Sequence, residues 1–493
     1  MNQEKTASLH SRYNPCGEAE RYIDSLSLNE KIRFFILIEP GLGYMVAPLK
    51  RRAPDAKVIA LHVEKPDQTS TVQGPEAIGP AAKPDSQWHP ETGVSVQEFL
   101  ETEIPDSEAS EIRLLEWRPA LNVYGRSYLA LLEEAAAFIK RSDANARTTK
   151  AFGPRWFKNF MKNLSIIKTA INPVNSNSPL VSRPFLVTGA GPSLEDAIPI
   201  IKQAIRNETS RTAFFILASS SSVAALEANC LKPDLAISTD GSNWARLHLY
   251  NSFRSNSAKE AYPIAATLTA AIPSQCGELP LLVICDGSLW QSLILREMQI
   301  PFIILPQRGT VTAAALDLAF ALSGGNIYIA GMDLENRDMR SHARPYSFDI
   351  LIEEKAIRTD PAYSQTYRRS SLLKEGGSYG IYASWFKKQL SLYPRPLYPI
   401  GKNNSVFNSS KTTLPCARAQ GGTTLKFQTV PLSFDTSPRE KALHVLENGL
   451  KDPALSDALQ NELKFLIPLN SGTDSQNELI SIIRSMNAIS AGK

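Results

Sequence analysis

The run Phe185-Leu-Val-Thr-Gly-Ala-Gly-Pro-Ser-Leu194 sets two glycines, a proline and a serine between a short apolar strand and a helix start. Gly189 and Gly191 let the backbone turn tightly and approach a ligand closely. Ser193 is a good helix cap, and Asp196 stands three residues on as an acidic capping partner. Free N–H groups and the positive dipole end at such a helix start suit a phosphate. A plain strand-to-helix turn is the competing reading at this point.

A second turn of the same kind is Gln307-Arg-Gly-Thr310, between a strand and an alanine-rich helix over 311–323. Thr310 is a candidate N-cap for that helix, and Arg308 adds a charge for a carboxylate or phosphate. Asp240 follows another short strand and is a candidate for a ribose or a metal, or for capping the turn Asp240-Gly-Ser. Beyond Gly331-Met-Asp333 the chain is dense in polar groups: Asn336, Arg337, Ser341, His342, Arg344, Tyr346 and Asp349. Polar loops at strand ends are often functional. His342 is the candidate general base there, since its ordinary pKa is close to neutrality. His248, on a helix after Asp240, reads as a packing or surface residue.

These residues need a scaffold, and the chain has the pattern for one. Short apolar runs at 185–188, 213–218, 235–239, 263–268, 281–285, 302–305 and 326–330 alternate with helical segments. That alternation predicts an α/β fold, a doubly wound and mostly parallel Rossmann-like sheet, with ligands at the carboxyl ends of the strands. A smaller Rossmann-like unit is predicted ahead of it. Strand 31–38 runs into Gly41-Leu-Gly43, a helix follows, and strand 57–63 ends at Glu64. Val46 stands where the dinucleotide fingerprint has its third glycine, so the turn reads as structural or as a nucleotide site. A proline-rich loop at 65–95 and a further strand at 114–117 follow. From 124 to 168 the apolar spacing is helical. After about 389 the chain is irregular up to 424, then helical at 441–449, 457–466 and 477–486. The expected boundaries are an N-terminal domain at 1–123, a helical linker at 124–180, a central domain at 181–390, and an irregular connection with a helical C-terminal domain at 391–493.

Composition excludes several classes. With 43% hydrophobic and 21% charged residues, the 493-residue chain is ordinary globular protein. A net charge of +4 argues for neither nucleic acid nor an anionic membrane. Five scattered cysteines without CxxC spacing fit a reducing compartment, with neither a disulfide scaffold nor a zinc site. No apolar stretch is long enough to span a bilayer and no leader is visible, so a cytoplasmic location is expected. DxD, P-loop, GxSxG and HExxH motifs are all missing.

Taken in order, the motifs resemble those of the Maf proteins, motility-associated factors that glycosylate flagellin. The resemblance rests on Glu18-Ala-Glu-Arg21, Gly41-Leu-Gly-Tyr44, Trp156-Phe-Lys-Asn-Phe-Met-Lys-Asn163, Gly189-Ala-Gly-Pro-Ser-Leu194, Lys232-Pro-Asp234, Asp240, Gly309-Thr-Val311, Gly331-Met-Asp333 and Ser341-His-Ala343. The Maf central domain, of the MptE-like kind, is in turn similar to bacterial sialyltransferases that use a CMP-activated sugar. Tyr346-Ser-Phe-Asp349 matches the phosphate-binding tyrosine segment of those enzymes. Two departures stand out. Glu335 occupies the place of a further tyrosine, and no histidine lies between His342 and His444.

The resemblance implies a nucleotide-sugar site at Gly189, Gly191, Pro192, Ser193, Asp240, Arg308, Gly309, Thr310 and Glu335. It implies catalytic roles for His342, Tyr346 and Asp333. The implied donor is a CMP-activated nonulosonic acid and the implied partner is flagellin. No cofactor is required, although Mg²⁺ has a place in the alternative. That alternative is an ATP- and Mg²⁺-dependent pterin diphosphokinase, and a non-catalytic flagellin-binding protein is the third reading.

Overall fold

The computed structural model describes residues 9–11, 13–29, 31–66, 82–173, 183–206, 214–255, 262–337, 339–374, 378–401, 406–407, 427–469 and 475–491. The middle of the proline-rich loop and most of the 391–424 connection lie outside the described residues. The chain divides into two compact units, 1–153 and 154–493.

The first unit holds strands β1 (Phe34–Ile38), β2 (Lys57–Leu61), β3 (Ser86–Trp88) and β4 (Ile112–Glu116), all parallel in the order β3-β2-β1-β4. Every residue of the central strand is buried, which is why Phe-Phe-Ile-Leu-Ile carries no polar alternation. Helices α1 (Pro15–Asp24), α2 (Val46–Arg52), α3 (Val96–Glu103) and α4 (Arg118–Tyr124) pack on this sheet together with the first turns of α5 (Arg126–Ile166).

The second unit is built on ten strands: β5 (Thr169–Ile171), β6 (Phe185–Thr188), β7 (Phe215–Ser219), β8 (Leu235–Ser238), β9 (Ile264–Thr267), β10 (Leu281–Cys285), β11 (Phe302–Ile304), β12 (Ile327–Ala330), β13 (Leu397–Pro399) and β14 (Thr429–Pro431). Their order is β13-β12-β6-β7-β8-β9-β10-β5-β14, with β11 also paired to β10. Only β14, on β5, is antiparallel. The chain steps outward from β6 to β10 and then crosses back to lay β12 on the other side of β6. The sheet therefore reverses its winding between β6 and β12, the place where open α/β sheets hold ligands. Seven of these strands fall on the apolar runs of the sequence. Strands β5, β13 and β14 have three residues each and join the edges of the sheet.

Side chains alternate strictly across the sheet. Phe185, Val187, Phe215, Leu217, Ile327 and Ile329 face one core, while Leu186, Ile216, Ala218, Tyr328 and Ala330 face the other. On the first face lies α10 (Val311–Leu322), whose small residues allow close approach to the strands, joined by α13 (Ser378–Gln389) through Phe386. On the second lies α6 (Leu194–Arg206), with Leu194, Ala197, Ile198 and Ile201 at helical spacing, together with α9 (Leu289–Glu297). The short helices α7 (Val223–Glu227) and α8 (Leu247–Ser255) follow β7 and β8, while α11 (Asp349–Lys355) and α12 (Ala362–Lys374) follow the polar segment after β12.

Helices α14 (Pro438–Lys451), α15 (Ser456–Leu463) and α16 (Ser475–Ala491) share the second core with the sheet. Glu462 of α15 accepts hydrogen bonds from the Leu289 and Trp290 N–H groups at 2.9 Å each, so this C-terminal helix caps α9. No described helix is long and apolar enough to cross a membrane.

Candidate functional site

The glycine turn after β6 lies against the turn after β12. The Gly189 N–H donates to Ala330 O at 2.8 Å, and the Gly191 N–H donates to Gly331 O at 2.7 Å. A Cβ on Gly189 would run into the Gly331 carbonyl, and one on Gly191 would run into the Asp333 carboxylate. Gly331 takes a left-handed φ of +69°. The glycines therefore serve a backbone-to-backbone contact that closes the switch point.

Asp333 reaches across this contact and accepts the Ser193 N–H at 3.0 Å. Its carboxylate is the group at the N-terminus of α6, the position that the sequence offered to a phosphate. Burial pushes its pKa up, against the opposing pull of the Ser193 bonds. Asp196, expected to close a capping box with Ser193, instead pairs with Arg337 at 2.5 Å. Glu195, in the same first turn, takes Arg340 at 2.9 and 3.0 Å and the Arg344 N–H at 2.9 Å. The Ala343 N–H donates to Ala190 O at 2.8 Å. The polar segment 335–349 is thus laced over the start of α6 by its own arginines. Beside it, a cleft of about 800 Å³ runs along α6, lined by Glu195, Ile198, Lys202, Asn229, Arg340 and Arg344.

The second half of that segment forms an aromatic cluster. The His342 ring stacks on Tyr346 at 3.9 Å and 12°, and its Nδ1 lies 2.7 Å from Ser341 Oγ. His248 of α8 stacks on Phe348 at 4.6 Å and 16° and lies 5.4 Å from the Tyr346 ring. Arg369 of α12 lies over Tyr346 and Phe348 at 5.2 and 5.3 Å and donates to the Tyr346 hydroxyl at 3.3 Å. Tyr379 of α13 donates to Ser341 O at 3.1 Å.

Burial and the Arg369 charge set the protonation of this cluster. His342 is lowered to about 3 by burial, then by Arg369 and by His248. His248 is lowered to about 4, chiefly by burial, with Asp240 opposing. Both rings are neutral at neutral pH. Burial lifts the Tyr346 and Tyr379 hydroxyls to about 12, so both stay protonated and able to donate.

The remaining expected residues sit at other strand ends. Asp240, exposed after β8, accepts the Ser242 N–H at 2.8 Å and its hydroxyl at 3.0 Å, closing the turn. Thr310 caps α10 through the Ala313 N–H at 3.0 Å. Arg308 is held by Asp317 at 2.6 Å and lies 5.2 Å from the Trp385 ring centre. Gly309 backs on Tyr382, where a Cβ would come within 2.9 Å of the ring. Glu335 is exposed, and burial of its neighbourhood together with Asp333 raises its pKa. Pro192 lies in the turn itself, buried beside Ser193. Among the described residues no three His, Cys, Asp or Glu side chains converge.

Arg369 and Tyr379 carry no motif, and sequence reading missed both. The only signal was the density of tyrosine and arginine in α12 and α13, where Tyr363, Tyr367, Arg368, Arg369, Tyr379 and Tyr382 occur. In the Trp156-to-Asn163 signature, Asn159 holds Gly241 O and Thr269 O at 3.1 and 3.0 Å. Asn163 holds Leu268 O and Ala270 O at 2.8 and 2.7 Å. These two residues, one helical turn apart, pin the loops after β8 and β9.

The N-terminal GxG turn holds a side chain of its own unit. The Leu42 N–H donates to His10 Nε2 at 3.1 Å, and a Cβ on Gly41 would collide with that imidazole. Buried Glu39 holds the Val63 N–H at 2.6 Å and lies 3.3 Å from His62 Nδ1. Glu64 is exposed.

Residues 158–339 match the family described as 6-hydroxymethylpterin diphosphokinase MptE-like. The central segment is MptE-like. That match runs from the last turns of α5 through the glycine turn to the segment after β12. An uncharacterized protein of Treponema pallidum (strain Nichols) is 26% identical over 303 residues, covering 61% of this chain. The alignment spans 63% of that relative's own length. A solved Maf glycosyltransferase from Magnetospirillum magneticum AMB-1 aligns with a TM-score of 0.47 and 12% identity, covering 98% of this chain and 78% of that one.

Proposed function

We propose that this chain is a glycosyltransferase that moves a nonulosonic acid from a CMP-activated donor to serine or threonine hydroxyls of flagellin. The observation that carries the reading is the Arg369–Tyr346–Tyr379 group beside the β6/β12 switch point. It brings one cation and two protonated phenols together, the Tyr379 proton being given to Ser341 O, and such a group would suit a donor phosphate. In the transfer, the bond between the sugar's anomeric carbon and the phosphate oxygen breaks, and the acceptor hydroxyl oxygen bonds that carbon. CMP leaves as a phosphate monoester, and the hydroxyl proton passes to a base. Hydroxyl donors and a guanidinium aimed at the departing phosphate stabilise its growing charge. His342 is the candidate base. Burial, and after it Arg369, holds its proton affinity down, and an anion seated on Arg369 would oppose the second of these.

The carboxylates around the crevice support a donor with a single phosphate. Asp333 holds Ser193, Glu195 holds Arg340, Asp196 holds Arg337, and Asp240 holds Ser242. The motif order of the Maf proteins supplies flagellin as the acceptor, and a cytoplasmic enzyme would modify it before export. The second reading is a diphosphokinase, favoured by the description of the family matched at 158–339.

Calorimetric titration with CMP and with ATP, each with and without Mg²⁺, separates the two. CMP binding that is indifferent to Mg²⁺ is the expected outcome. Mg²⁺-dependent ATP binding without a response to CMP would install the kinase. Tyr346→Phe is expected to slow transfer by about a hundredfold, the usual worth of one transition-state donor, with an unchanged melting temperature. Unaltered transfer by this variant would remove the tyrosine from the reaction.

A further inference from the structure

The cleft along α6 takes no part in the reaction proposed above. It encloses about 800 Å³, the size of a ligand site, and Glu195, Ile198, Lys202, Gln203, Arg340 and Arg344 line that one space. Three of these side chains are cationic and one is anionic. The anion is already engaged, because both Glu195 oxygens accept the Arg340 guanidinium and one also accepts the Arg344 N–H. Arg344 is exposed, and its guanidinium meets no carboxylate among the described residues. Lys202 donates to the neutral amide of Asn229 at 3.0 Å and likewise meets no carboxylate among the described residues. Two cations thus line a concave surface with no acid to balance them, and such a surface attracts anions.

The spacing of the two cations narrows the choice of ligand. Arg344 is tied through its N–H to Glu195 in the first turn of α6, and Lys202 stands about two turns, or roughly 10 Å, further along that helix. A single phosphate or carboxylate reaches one of them only. An extended peptide rises about 3.3 Å per residue, so about three or four residues cover the length. Ile198, 5% exposed, lies between Glu195 and Lys202 on the same helix face and gives an apolar floor. Gln203 adds a side-chain amide, which can both donate to and accept from a peptide backbone.

We propose that this cleft is the docking groove for an acidic, extended stretch of the polypeptide acceptor, with carboxylates meeting Arg344 at one end and Lys202 at the other. That the partner is an acceptor rests on the transferase reading above. The segment that gives Arg340 and Arg344 to the cleft gives His342 and Tyr346 to the aromatic cluster. A chain held in the cleft therefore runs beside the segment that carries the candidate base.

The test is fluorescence anisotropy of the full-length protein with a labelled peptide that carries a serine beside a run of glutamates, and with its glutamine counterpart. Unlabelled peptide and inorganic phosphate serve as competitors, and CMP is titrated in parallel. Wild type is expected to bind the glutamate peptide about tenfold or more tightly than the glutamine one. That preference should fall as salt rises, since exposed charges are screened beyond about 10 Å at 0.1 M. Arg344→Glu and Lys202→Glu should each weaken the glutamate peptide by about tenfold or more, because each replaces an attraction by a repulsion. Lys202→Gln, a milder change, should move the same affinity in the same direction. Melting temperatures and CMP affinity should stay as in wild type for all three variants. Equal binding of the two peptides by wild type, binding of neither, or variants that bind as wild type does would overturn the proposal. So would inorganic phosphate that displaces the labelled peptide as effectively as unlabelled peptide does, which would show a simple anion site. Peptide preference without any CMP binding would defeat the transferase reading and leave the acidic groove standing. CMP binding without peptide preference would do the reverse.

Discussion

The two buried histidines tie protonation to stability in a way a surface histidine would not. His248 and His342 have pKa values of about 4 and about 3, against an ordinary 6.5, because the packed rings and Arg369 disfavour the imidazolium. Between those values and 6.5 the unfolded chain binds more protons than the folded one. Stability therefore rises with pH through that window, is fully present above about 6.5, and is lost as pH falls towards 4. Urea unfolding followed from pH 7 to pH 4.5 should show this acid limb. His248→Phe, which keeps a ring against Phe348, should flatten it. A slope identical to wild type would mean that the His248 ring is solvated and titrates normally in the folded protein.

At the scale of elements, strand ends are held by side chains from elsewhere in the second unit, and the glycines only make room for this. Asn163 is 1% exposed and closes two carbonyls of the loop after β9, while Asn159 closes one from each of the loops after β8 and β9. Asn163→Ala would leave Leu268 O and Ala270 O buried without donors. A destabilisation of about 3 kcal/mol is expected, since each orphaned group costs on the order of 1–3 kcal/mol. Asn159→Ala, at a half-buried position where water can substitute, should cost less. Denaturant titration of the two variants measures the difference, and equal costs would show that the Asn163 loop relaxes to water. The glycine contact between the β6 and β12 turns has a similar logic, because Gly191 is small to admit the Asp333 carboxylate.

At the scale of the whole molecule there are two units with separate cores, one gathered around β1 and one around β6. The C-terminal helices belong to the second, because α14, α15 and α16 complete the face that α9 begins. The candidate site lies wholly within 154–493. CMP should therefore raise the melting of that unit alone, by about 2.7 kcal/mol of added stability at a hundredfold excess over its dissociation constant. Scanning calorimetry with and without CMP would show one of two transitions moving. If the transition of residues 1–153 moved by the same amount, the two units would unfold as one.

The sequence by itself determined the elements. Apolar runs without alternation could only be strands covered on both faces, and seven such runs separated by helical spacing required a parallel, doubly wound sheet. The capping of α10 by Thr310 and the closing of the Asp240 turn by Ser242 were legible as well, because both are local hydrogen bonds between near neighbours. Tertiary structure alone decided which polar groups remained free. Arg308, Arg337 and Arg340 stand in or near motifs, yet Asp317, Asp196 and Glu195 take their charges. Arg369 stands in no motif and faces two histidines and a tyrosine. The pairings of Arg337 with Asp196 and of Arg340 with Glu195 are settled by approach in space across 140 or more residues of chain, and a period of 2 or 3.6 carries no record of them. A one-dimensional pattern fixes which faces are buried, while the chemistry of a site depends on what remains unpaired after the faces have met.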